Sequence, residues 1–155
     1  MKDDPASGDT VVVERLVKAP PHTVFAFFTD PARWRQWQGV DAAIDPRADG
    51  VFRVNVRGDG YASGRVLHID PPHRIVFTWG WEMDGNPVPP GSTVVEIDLL
   101  PDPAGTLVRL THRGLPDGMR EPHAEGWAHY LDRLTVVAVG DDPGPDPWLI
   151  GSPDR

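Results

Sequence analysis

The chain has 155 residues, a mass of 17.1 kDa and a formal charge of -8, from 23 Asp plus Glu against 15 Lys plus Arg. That length suits one hydrophobic core, and the acidic balance argues against electrostatic binding to nucleic acid or to an anionic membrane. The absence of cysteine removes disulfides, thiol catalysis, iron-sulfur clusters and cysteine-bearing zinc sites.

Residues 1–9 read as a flexible tail. MKDDPASGDT has no apolar h-region, and no later stretch approaches 18 uninterrupted apolar residues, so the expectation is a cytoplasmic protein without membrane insertion. Residues 1–10 carry a net -2 and residues 141–155 a net -3, which leaves -3 for everything between. The acidity therefore belongs as much to the tails as to the domain over 10–140, and it speaks to solubility.

Thr10 to Lys18 is β-rich, with Val11 and Val13 on one parity, and it ends at Ala19-Pro20-Pro21. Proline there suits the first turn of a helix, and Val24, Phe27 and Phe28 follow at helical spacing. Asp30-Pro31 reads as an N-cap with proline at N1, opening a second short helix with Trp34 and Trp37 on one face.

From Val40 the period changes to two. Strands are expected over Ala42 to Pro46, Val51 to Arg57, Tyr61 to Ile69, Arg74 to Trp81, Thr93 to Leu99 and Thr106 to Thr111, with Glu82 to Gly91 as a longer loop. Such short gaps make the run an antiparallel meander. Asp117 then caps a long helix whose Ala124, Trp127, Ala128, Leu131, Leu134 and Ala138 fall at spacings of 3 and 4. Residues 141–155 hold four prolines and no periodicity. They read as a second flexible tail, in which Trp148-Leu149-Ile150 is the one string able to dock.

The fold class is α+β: a curved antiparallel sheet wrapped around a long C-terminal helix, with two short helices after the first strand. A gap between a curved sheet and a straight helix is the natural place for a ligand.

Several strings carry a family resemblance. They are Val17-Lys18-Ala19-Pro20-Pro21, Thr29-Asp30-Pro31, Gly64-Arg65-Val66, Asp70-Pro71-Pro72-His73-Arg74-Ile75-Val76-Phe77-Thr78-Trp79, Leu110-Thr111-His112-Arg113-Gly114-Leu115 and Gly126-Trp127-Ala128-His129-Tyr130-Leu131. Across nearly all of residues 10 to 139 the chain resembles the START-like (SRPBCC) superfamily, in the branch similar to the C-terminal domain of the activator of the heat-shock protein ATPase. The resemblance implies a helix-grip fold with a cavity between sheet and C-terminal helix. It leaves open three uses: binding of a small apolar or aromatic molecule, a protein-interaction or chaperone-regulating role, and a cyclase or hydrolase-like activity. It also leaves open a homodimer or other protein partner.

Phe77, Trp79 and Trp81 share one strand parity, and the fold brings Trp34, Trp37, Trp127 and Leu131 toward the same space. These rings either fill the core or face a ligand; six tryptophans favour a cavity, because indoles are seldom fully buried. His112, on the parity of Val108 and Leu110, is expected to point inward. Glu82 and Tyr61 are the further polar candidates. His123 and His129 stand about 240° apart on an ideal helix, and no HExxH string exists, so neither metal nor other cofactor is expected. His129 is expected to pair with Glu125 at the surface. None of the four serines sits in a GxSxG elbow, and Gly58 to Gly64 lacks the lysine of a P-loop, so no catalytic residue is assigned. Gly126, inside the long helix, reads either as close packing on the sheet or as room beside Trp127, and a larger side chain there is expected to be damaging.

Overall fold

The computed structural model describes residues 9–150. The tail expected over residues 1–9, Asp9 apart, and the last five residues of the tail expected over 141–155 lie outside the described residues. β1 (Val11–Val17) turns Val11, Val13 and Val17 inward. Pro21 takes the first position of α1 (Pro21–Thr29), where a missing N–H costs nothing. Asp30 ends that helix and caps α2 (Pro31–Trp37), its Oδ1 accepting from the Ala32 N–H at 2.9 Å. Six strands follow: β2 (Asp41–Ile44), β3 (Val51–Asn55), β4 (Tyr61–Asp70), β5 (Arg74–Trp79), β6 (Thr93–Asp102) and β7 (Gly105–Arg113). The long helix α3 (Arg120–Val137) comes last.

The seven strands form one sheet in the order β1-β7-β6-β5-β4-β3-β2, antiparallel throughout. This is the helix-grip α+β architecture read from the sequence. Its register sorts the two faces by chemistry. Val13, Leu110, Ile97 and Ile75 lie in one row across four strands, all buried. The neighbouring row is Glu14, Arg109, Asp98 and Arg74, which alternates in sign on the outer face, with Glu14–Arg109 and Asp98–Arg74 ion pairs. A slip of one residue would bury four charges and expose four aliphatic side chains, so the pattern fixes the register.

Much of the space between sheet and helices is filled with rings. Trp34 stands 4.6 Å from Trp37 and 5.2 Å from Phe52, and Phe52 stacks on Phe77 at 4.0 Å. Each of these four is fully buried.

Two expectations are corrected. Asp117 does not cap α3: Gly118 adopts φ +84, which no helix continues through, and the helix starts at Arg120 behind Met119 with no side-chain cap. Residues 141–150 do not hang free. The Ile150 N–H donates to the Arg57 carbonyl at 2.7 Å, and Arg57 Nε donates to the Trp148 carbonyl at 3.2 Å. The segment is short of apolar area, but a few directional bonds and one aromatic face hold it down.

Candidate ligand cavity

Beyond the ring-filled core, between the end of β5 and the first half of α3, a cavity of about 240 Å³ remains. Trp79 ends β5 as one wall. Gly80 follows it, and a Cβ there would collide with the Pro89 carbonyl. Only glycine lets the loop over residues 82–92 fold back so closely, with the Trp81 N–H donating to the Val88 carbonyl at 2.6 Å. That loop brings Met83 and Asn86 to the cavity, while α3 supplies His123, Gly126, Trp127 and Tyr130, at spacings that keep them on one face. Gln38, just past α2, and Trp148 complete the wall.

Two histidines sit behind or within this wall, and each has both nitrogens engaged. The Trp127 indole donates to His112 Nδ1 at 3.0 Å, and His112 Nε2 lies 2.8 Å from Thr93 Oγ1, which itself donates to the Trp79 carbonyl at 2.7 Å. That chain of partners requires the proton of His112 on Nε2. The Trp81 indole donates to His123 Nε2 at 3.1 Å, and His123 Nδ1 donates to the Met119 carbonyl at 2.7 Å. Burial, and secondarily the nearby His123, pushes His112 down to about 3, while burial also lowers His123 against the Met119 carbonyl. Both rings are therefore neutral near pH 7, and neither has a lone pair left for proton transfer.

At the other end of the cavity stands Trp148, from residues 141–150. Asp146 accepts from the Tyr130 hydroxyl at 2.7 Å and pairs with His129 Nε2 at 2.8 Å. Burial works to raise the Asp146 carboxyl, but the Trp148 N–H, His129 and Tyr130 together hold it below the usual range. The Tyr130 hydroxyl is driven far upward, first by burial and then by that carboxylate, and stays protonated. The expected His129–Glu125 pair is thus replaced by a half-buried one, because Asp146 offers a desolvated partner in place of a solvated carboxylate.

The candidate residues divide. Trp79, Trp81 and Trp127 line the cavity. Trp34, Trp37, Phe77 and Leu131 are fully buried in the core and do not reach it. His112 stands one layer back, behind Trp127. Tyr61 and Glu82 are not in the cavity at all. Tyr61 is on the parity opposite the buried Ala62 and donates to Asp41 Oδ2 at 2.7 Å. Glu82 takes both bonds of the Arg53 guanidinium, which lies 3.7 Å over the Tyr61 ring and holds the carboxyl below its ordinary value. Gly126 is not closely packed: a Cβ there meets nothing within 4 Å. The open space is the cavity, which retains the second reading of that glycine and removes the first, and with it the expectation that any larger side chain there damages the fold.

Sequence reasoning missed Gln38, Met83, Asn86, Met119 and Tyr130. The last has a legible signal, since Tyr130 falls three residues after Trp127 on the apolar stripe. Among the described residues no group of three or more His, Asp or Glu could hold a metal ion, and no helix is long and apolar enough to cross a membrane.

Residues 18–138 match the family described as Activator of Hsp90 ATPase homolog 1-like protein. An AHSA1-like protein from Rhizobium etli is 45% identical with a TM-score of 0.71, over 94% of this chain and 91% of that one. CalU16 from Micromonospora echinospora is 28% identical with a TM-score of 0.70, over 84% of this chain and 76% of that one. An uncharacterized protein of Schizosaccharomyces pombe is 30% identical over 108 residues, 66% of this chain and 29% of that protein. The chain thus spans under a third of the length of this curated relative.

Proposed function

The chain belongs to the family of Activator of Hsp90 ATPase homolog 1-like proteins, and from that premise we propose that it binds a small aromatic or apolar molecule in the cavity beside α3. The observation that carries this is a cavity of about 240 Å³ walled by Trp79, Trp81 and Trp127 beside a ring-packed core. A cavity of roughly 150 Å³ lined by apolar groups takes up benzene, and drug-sized ligands need about 300 Å³ or more. The volume here falls between these limits and favours a molecule of one or two rings.

Binding is favoured over catalysis because both histidines and the tyrosine at the cavity are already engaged. His112 and His123 are bonded at both nitrogens, and Tyr130 donates to Asp146. Indane, a bicyclic hydrocarbon, is the probe. Titrated into the wild type it should give saturable changes in tryptophan fluorescence and a negative heat-capacity change. Gly126→Leu, which places a side chain in the open space, should stay folded and lose most of that response. Failure of indane and related one- and two-ring probes to bind the wild type, or equal binding by the variant, would overturn the reading. It would also move the balance toward the protein-interaction role that the family's name suggests.

A further inference from the structure

The polar groups of the cavity wall are unequally spent. Trp81 and Trp127 donate to histidines, and Tyr130 donates to Asp146. Trp79 does not: it is 2% exposed, lines the cavity, and its indole N–H has no acceptor. A buried donor left unmet is rare in a native protein and calls for a missing partner. Gln38 adds to it. At 3% exposure it gives its Oε1 to the Trp34 indole at 3.1 Å, which leaves the amide nitrogen, a donor, as the end it can offer to the cavity it lines. Asn86, nearer the rim, repeats the pattern, its Oδ1 accepting from the Val88 N–H at 2.8 Å with its amide donors left over.

The spare capacity of the buried part of the wall is therefore donor capacity, from Trp79 and Gln38 with Asn86 nearer the rim, while the one carboxylate on the lining, Asp59, is exposed. An occupant that satisfies it must accept hydrogen bonds. The cation on the lining, Arg57, is exposed and bound to the Trp148 carbonyl at 3.2 Å, so an ionised carboxylate seated against the buried Trp79 and Gln38 would lack a dedicated counter-charge. We propose that the ligand is a neutral molecule of one or two rings carrying an acceptor oxygen, such as a ketone carbonyl, held by the Trp79 indole N–H and the Gln38 amide. The inference rests on the cavity being a ligand site, and its test separates the two.

The probes are 1-indanone and indane, which share a ring system and differ by one carbonyl. The preference for 1-indanone, taken as the ratio of the two dissociation constants, should fall about tenfold in Trp79→Phe, which removes the donor and keeps an aromatic ring. In the wild type the Trp79 indole N–H proton resonance should move further downfield with 1-indanone than with indane, a readout that needs no variant to fold. An unchanged preference in Trp79→Phe, or the same response of the Trp79 resonance to both probes, overturns the inference and leaves the cavity reading standing. If neither probe binds the wild type, both fall together.

Discussion

The Trp148 indole lies flat on the His129 imidazole, with centroids 4.0 Å apart and planes 5° from parallel. Two residues earlier Asp146 takes the Tyr130 hydroxyl and pairs with His129, so the segment is fixed to α3 at two adjacent points. Ending the chain after Asp141 should therefore lower the melting midpoint by about 5–10 °C, from the loss of roughly 2–3 kcal/mol in hydrogen bonds and ring contact at this chain size. Differential scanning calorimetry of the full and shortened chains measures it. A change below about 2 °C would mean that the segment is ornamental to the fold.

Stability should decline as the pH falls below neutrality. His112 and His123 both have folded values below the ordinary histidine value, so the unfolded chain takes up protons first. Their contribution is fully present above about pH 6.5 and is lost as the pH falls from there toward about 3 for His112, at up to about 1.4 kcal/mol per pH unit for each ring. Asp146, held below the usual carboxylate range, begins to lose its contribution only below its ordinary value of 3.8, outside a range of pH 7.5 to 5. Urea midpoints at pH 7.5, 6 and 5 test this. His112→Asn, which keeps an acceptor for the Trp127 indole, should remove the share of one histidine from the slope; an unaltered slope would show that His112 does not titrate on unfolding.

Gly126→Ala should stabilise the protein. The added Cβ meets nothing within 4 Å, and alanine in a helix interior is worth about 1 kcal/mol over glycine, or about 2–4 °C at this size. A lower melting midpoint would indicate that α3 packs more tightly at this turn than the open space beside it implies.

What was legible in the sequence was what repeats. Val95, Ile97 and Leu99 alternate with Glu96 and Asp98, and that parity alone places β6 in the sheet and sets its faces. Asp30-Pro31 marked α2 because a cap and a fixed φ act within three residues. The cavity was only half legible. Parity put Phe77, Trp79 and Trp81 on one side, but the division between core and wall depends on where β5 ends and how the loop after Gly80 closes, which are long-range facts. Tyr61 and Glu82 are polar candidates on residue type alone, although each stands one position from an inward Ala62 or Trp81 and the period of two already turns it to the other face. Asp146 was unreadable for a related reason: its partners, Tyr130 and His129, lie 16 and 17 residues away on a helix, with nothing periodic to announce them.

The most direct test of the cavity is a nitrogen-15 spectrum of the tryptophan indole N–H groups, recorded as indane is added. Trp79, Trp81 and Trp127 line the cavity, whereas Trp37 is buried in the core with its indole donated to the Phe27 carbonyl at 3.0 Å. The account predicts saturable shifts at Trp79, Trp81 and Trp127 and a stationary Trp37 signal. Stationary signals at all three, or shifts that grow without saturating and include Trp37 equally, would contradict it.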